Sequence, residues 1–216
     1  MNKKIIVFGG TFNPPHNGHI ELIKQAVSLC DLLYVIPTYK VTHKDCSFMF
    51  TPQQRYDMSK LMCESINNNI LKLINYDDWI DSGEHKQYNY TFNVLNDVKW
   101  KYPNDDITFL MGMDCINTIH TWYNYEQLIN QFNFIIFNRP NCLPINNNLD
   151  NHLLNKLKMS INQDILNVDI SSSFIRNLIN TNINDIKRYV PNLIFEYINQ
   201  INNNKKDYVK NTTMVI

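Results

Sequence analysis

The sequence predicts an α/β fold, a doubly wound parallel sheet with a small helical C-terminal subdomain, on three observations. Short apolar runs alternate with segments of helical periodicity along most of the chain. The runs lack the polar alternation of a strand with one solvated face, so helices must cover both sides of the sheet. Beyond about residue 169 the alternation stops and only helical patterns follow.

Residues 4–8 read as the first buried strand and 32–36 as the second, with 70–74, 107–111, 134–137 and 165–168 after them. Between the first two, Ile20, Ile23, Val27 and Cys30 recur at helical spacing. Thr51-Pro52 sets a capping hydroxyl before a proline at the first helical position, opening a helix through about Ile66. Phe92, Leu95 and Val98 mark another helix, and residues 172–179 and 191–201 carry the last two patterns. The expected division is a core over 1–169, a helical subdomain over 170–204 that completes a phosphate site, and a flexible tail over 205–216. Asparagine runs at 67–69, 146–148 and 202–204 are expected in surface loops or at helix ends.

Composition narrows the partners. Lys+Arg and Asp+Glu balance at 20 each in 216 residues, so net charge gives no reason to expect a nucleic acid or an anionic membrane. Five scattered cysteines with no CxxC pair read as reduced thiols, hence a cytoplasmic or nuclear location. The apolar run before Gly9 is too short for a signal peptide, and no run approaches membrane-spanning length. Oligomeric state, including a homo-oligomer, stays open at this level.

The loop GGTFNPPHNGH, positions 9–19, follows the first strand and enters the first helix. In parallel sheets, ligands bind beyond the carboxyl ends of the strands. Gly9 and Gly10 carry no Cβ, so the backbone is expected to turn sharply there and approach a ligand closely. His16 and His19 lie three apart at a helix start and point the same way, where imidazole donors and the helix dipole suit phosphate. Taken singly, the glycines also read as an ordinary turn and His-x-x-His as half a zinc site, though no third ligand stands at recognisable spacing.

The segment ISSSFIR, 170–176, follows the last strand. Ser171, Ser172 and Ser173 suit a helix N-terminus, and Arg176, one turn on, offers a planar fork to the same anion. Alone, the segment also reads as a serine cap with a solvated arginine.

Together these two segments resemble the HxGH and ISSxxxR signatures of the nucleotidylyltransferase superfamily. FLMGMDCINTIHTWYNYEQLI (109–129), NYT (89–91) and Arg139-Pro140 resemble its nicotinate mononucleotide adenylyltransferase branch of bacterial type, and the similarity spans residues 4 to about 201. The resemblance implies a Rossmann-like core and transfer of AMP from ATP to nicotinate mononucleotide, with Mg²⁺ carried on the ATP phosphates and no protein metal site. It places His16, His19 and Arg176 as catalytic, and Ser172 and Ser173 with Arg176 on the leaving pyrophosphate. Gly112 and Asp114 fall on the adenosine and nucleotide segment, and Thr11, Phe12 and Arg139 complete the cleft with Gly9 and Gly10. Trp122 falls on the aromatic that stacks on the pyridine ring, with Thr91 and the Tyr123 backbone reading its carboxylate. Lys44 or His43 falls near the mononucleotide phosphate. Without the resemblance, Trp122 reads as a core or helix-start aromatic. The serine usual before Tyr-Thr is Asn89 here, and residues 40–50 match poorly.

Three alternatives remain at the sequence level. A sister enzyme such as a pantetheine-phosphate adenylyltransferase shares both end motifs but not the Thr91 and Trp122 pair. Nicotinamide mononucleotide is a closer rival substrate. A non-catalytic nucleotide sensor is expected to have lost His16, His19 or Arg176, all of which are present. DMSKLM (57–62) and KMSIN (158–162) echo the KMSKS loop of class I aminoacyl-tRNA synthetases and are expected to be ordinary helix surface.

Overall fold

The computed structural model describes residues 2–39, 50–75, 90–138, 148–165 and 170–213. Its strands are β1 (Lys4–Gly10), β2 (Leu32–Pro37), β3 (Leu71–Leu73), β4 (Asp106–Gly112), β5 (Asn133–Asn138) and β6 (Ile161–Ile165). Among the described residues they form one parallel sheet in the order β3-β2-β1-β4-β5-β6. The order reverses at β1, so the carboxyl ends of β1 and β4 open onto the crevice where doubly wound sheets bind ligands.

The helices are α1 (Asn17–Ala26), α2 (Pro52–Ile66), α3 (Thr91–Lys101), α4 (Tyr125–Gln131), α5 (Asn151–Met159), α6 (Ser172–Thr181) and α7 (Asn192–Thr213). Strand periodicity sorts β1 between two cores. Ile5 and Val7 face a cluster built with Val94, Leu95 and Val98 of α3, Leu128 of α4 and Leu157 of α5. Ile6 and Phe8 face the other, built with Leu22 and Ile23 of α1, Met58 of α2, Ile175 of α6 and Ile194 of α7. Each fully buried aliphatic or aromatic side chain here contributes roughly 1.5–3 kcal/mol. The C-terminal helices thus share one apolar layer with α1 and α2.

Local signals account for the element ends. The Thr51 hydroxyl accepts from Gln54 N–H at 3.2 Å while the Gln54 side chain accepts from Thr51 N–H at 2.9 Å, and Pro52 occupies the first helical position. Asn67 ends α2 in the left-handed region, at φ 49°. The Tyr197 hydroxyl donates to Asp57 at 2.7 Å and ties α7 to α2; burial and that bond push its pKa up to about 12.

Several expectations are corrected. The last strand lies at Ile161–Ile165 rather than at 165–168, of which 166–168 fall outside the described residues. As an edge strand paired with β5 alone it does not need a wholly apolar sequence. DMSKLM is not helix surface, because Met58, Ser59 and Met62 are buried on the inner face of α2. KMSIN straddles the end of α5 and the start of β6. Asn202, Asn203 and Asn204 sit inside α7, whose backbone continues into the stretch expected as a tail. Once a helix is nucleated and packed, each further asparagine costs it only a fraction of a kcal/mol.

Candidate active site

Steric crowding, rather than a glycine turn, shapes the first loop. Gly9 and Gly10 continue β1, paired with Ile36 and Pro37. A Cβ on Gly10 would lie 3.1 Å from the Phe12 ring, and one on Gly9 would lie 3.3 Å from Phe109. The left-handed residue is Phe12, at φ 47°, a conformation that costs a non-glycine residue about 1–2 kcal/mol. Burial of its ring, edge-on to Phe8 at 5.3 Å and to His19 at 5.0 Å, offsets that cost. The glycines therefore allow the Phe12 and Phe109 rings to pack closely, and the expectation of a sharp turn at them is corrected.

His16 caps α1, and its backbone N–H donates to His19 Nδ1 at 3.1 Å. An Nδ1 that accepts cannot carry the proton, so the neutral His19 ring is protonated on Nε2, a donor. The two imidazoles stack with centroids 3.8 Å apart.

The second segment arrives against this loop from the far end of the chain. Ser171 caps α6 by accepting from Phe174 N–H at 3.1 Å, and the remaining first-turn N–H groups belong to Ser172 and Ser173. The Ser172 hydroxyl donates to the Pro14 carbonyl at 2.9 Å. Arg176 donates to the Asn13 carbonyl and to the Ser173 hydroxyl, each at 3.0 Å.

Between the two segments lies a cleft of about 260 Å³. Of the residues singled out in the sequence, Gly9, Gly10, Thr11, Phe12, His16, His19, Gly112, Asp114, Trp122, Ser172, Ser173 and Arg176 line it. Trp122 lines the cleft and meets Phe109 edge-on at 6.1 Å. Thr91 and Tyr123 are not lining residues. Tyr123 follows Trp122 and stacks on Tyr90 at 4.8 Å, and Thr91, next to Tyr90, opens α3. Lys44, His43 and Arg139 lie outside the described residues.

The family model for cytidylyltransferase-like proteins matches residues 7–178, from β1 into α6 and therefore across both halves of the cleft. The chain belongs to the cytidylyltransferase-like family. Among relatives of this cytidylyltransferase-like chain, nicotinate-nucleotide adenylyltransferase of Bacillus subtilis is 33% identical over 140 residues, covering 64% of this chain and 70% of the relative. A probable nicotinate-nucleotide adenylyltransferase of Staphylococcus epidermidis is 29% identical over 202 residues, 93% of this chain and 96% of that one. In fold, the chain is similar to nicotinic acid mononucleotide adenylyltransferase of Plasmodium falciparum complexed with APC, at a TM-score of 0.72 and 23% identity over 93% of this chain and 96% of that one.

Sequence reasoning missed two buried polar residues, Asn13 in the lining of the cleft and Arg55 bonded to its first loop. Asn13, 3% exposed, accepts from Phe50 N–H at 3.0 Å through its side chain. Arg55, 2% exposed, donates to several loop carbonyls. An asparagine inside a motif and an arginine on an amphipathic helix both read as solvated, and no local pattern marks either as buried.

Proposed function

We propose that this chain transfers the adenylyl group of ATP to the 5′-phosphate of nicotinate mononucleotide, giving nicotinate adenine dinucleotide and pyrophosphate, a step of NAD biosynthesis. One observation carries the reading: the α1 histidine pair and the α6 serine–arginine group converge on a single cleft that also holds Trp122. The names of the Bacillus subtilis and Staphylococcus epidermidis relatives support the substrate assignment.

In this mechanism a phosphate oxygen of the mononucleotide attacks the α-phosphorus of ATP, forming one P–O bond as the α–β bond breaks. The nucleophile is already ionised at neutral pH, so alignment and preorganised donors carry the catalysis. His19 donates from Nε2 to the triphosphate in this reading, and His16, stacked on it, lines the same cleft. The first-turn amides of α6 and Arg176 receive the departing pyrophosphate. Gly112 and Asp114, at the end of β4, hold the adenosine side with Thr11 and Phe12. Trp122 stacks on the pyridinium, through dispersion and a cation–π contribution. Thr91 and the Tyr123 backbone read the carboxylate. Among the described residues α3 opens at Tyr90 without a side-chain cap hydrogen bond, and its dipole favours an anion at that point. Lys44 and Arg139 are assigned to the mononucleotide phosphate and the nucleotide cleft by resemblance.

Magnesium is proposed as a companion of ATP. Asp114 is the one carboxylate among the described cleft residues, and these include no group of three or more His, Cys, Asp or Glu able to hold a metal ion. When bound on the ATP phosphates, magnesium neutralises part of their charge. No described helix is long and apolar enough to cross a membrane. A cytoplasmic enzyme is the location proposed.

The test is pyrophosphate release from ATP and Mg²⁺ with nicotinate mononucleotide and nicotinamide mononucleotide in parallel. Fast release with the acid and slow release with the amide is the expected result. Preference for the amide would overturn the carboxylate pocket, and release with neither would overturn the activity.

A further inference from the structure

An arginine that the mechanism does not use sits at the centre of the scaffold behind the site. Arg55 lies in the first turn of α2 and is among the largest fully buried side chains. Its Nη1 donates to the Thr11 carbonyl at 2.9 Å and also to the Thr38 carbonyl. Its Nη2 donates to the Tyr39 carbonyl at 2.7 Å, and its Nε to the Phe50 carbonyl at 3.3 Å. These carbonyls belong to three separate stretches: the loop after β1, the exit of β2 and the entry to α2.

The guanidinium is one end of a longer path. Phe50 N–H donates to the Asn13 side chain at 3.0 Å, and the Asn13 carbonyl accepts from Arg176 at 3.0 Å. Thr38 N–H closes the other side by donating to the Gly10 carbonyl at 2.8 Å. Hydrogen bonds therefore run from α2 through the first loop to Arg176 on α6. Burying a cation among carbonyls carries a desolvation cost that a well-packed apolar side chain of similar volume avoids. What the planar fork adds is a fixed relative orientation of the carbonyls it holds.

We propose that Arg55 is a positioning residue, which sets the backbone at Thr11 and at the exit of β2 so that the first loop presents His16 and His19 at the reacting phosphates. The proposal rests on the adenylyl-transfer reading above. Its effect falls on alignment more than on ATP affinity, because the substitution deletes none of the side chains that contact ATP in that reading. Misplacement by about 1 Å costs on the order of 100-fold in rate.

The variant is Arg55→Lys, whose ammonium offers three bonds from a single point and cannot reproduce the fork. We expect kcat to fall at least about tenfold with the KM for ATP within about threefold of wild type. Hydrogen exchange on the substrate-free protein supplies a readout independent of activity. The Thr38 amide should exchange at least about tenfold faster, with the Leu110 amide of β4 unchanged. A wild-type kcat, an unchanged Thr38 rate, or equal acceleration at Thr38 and Leu110 would each overturn the proposal. If Arg55→Lys does not fold, Arg55→Gln, which keeps a planar donor but not the fork, carries the same two readouts. Should wild-type protein release no pyrophosphate with nicotinate mononucleotide, the adenylyl-transfer reading fails, and the exchange result alone decides whether Arg55 braces these loops.

Discussion

Replacing His19 separates two jobs that its ring nitrogens perform. Nδ1 accepts from His16 N–H at 3.1 Å, while the proton on Nε2 is the proposed donor to the triphosphate. His19→Ala removes both. Loss of one preorganised transition-state donor costs about 2.7–4 kcal/mol, or roughly 100- to 1,000-fold in turnover. Loss of the Nδ1 hydrogen bond adds about 1 kcal/mol of destabilisation, and loss of ring packing against Phe12 adds about another. For a chain of this size those terms lower Tm by roughly 4–8 °C. Two further variants divide the effect. Asparagine places an acceptor near Nδ1, so His19→Asn should regain about half of the lost Tm yet turn over as poorly as His19→Ala. Glutamine places an amide donor near Nε2, so His19→Gln should lose stability but keep part of the turnover. The assay is pyrophosphate release at saturating substrates, with thermal melts on the same preparations. A folded His19→Ala enzyme within threefold of wild type would refute the donor role. An active asparagine variant beside an inactive glutamine one would refute the division between the nitrogens.

Two other perturbations test distant parts of the argument. Trp122→Ala removes the stacking face, worth about 1–2 kcal/mol, so the KM for the mononucleotide should rise about 10-fold while that for ATP stays put; equal rises would place Trp122 elsewhere in the site. The Tyr197 hydroxyl titrates near 12 in the folded chain, above an ordinary value of 10, because burial and the bond to Asp57 favour its neutral form. Its contribution is fully present below pH 10 and is lost as pH rises through about 12. Urea denaturation midpoints of Tyr197→Phe should therefore decline less steeply than those of wild type between those values, and parallel curves would contradict the assignment.

What was legible in the sequence follows from the range of the interactions involved. Strands β1, β2, β4 and β5 announce themselves as apolar runs because helices cover both their faces, and α2 announces its start because Thr51, Pro52 and Gln54 solve the capping problem locally. The two motif segments were visible, and the structure brings them to one cleft. Edge strand β6 was misplaced because pairing on one side leaves its sequence, INQDI, free to be polar. Arg55 and Asn13 were invisible for the opposite reason. Their burial depends on carbonyl and amide partners brought together by the folded loops, up to 44 residues away in the case of Thr11. The turn at Phe12 was assigned to its glycine neighbours because backbone freedom is read from residue type, whereas ring packing decided it.

The contact between Ser172 and Pro14 joins residues 158 positions apart, and this gives the site a direction in time. At about 5–20 residues per second, synthesis separates the first loop from its anion-binding partner by on the order of 10–30 s. Through that interval the nascent chain carries the histidines without the group proposed to receive pyrophosphate. On the adenylyl-transfer reading, a ribosome-bound or prematurely released chain is therefore expected to be silent, and activity to arrive together with the helices that seal the apolar face.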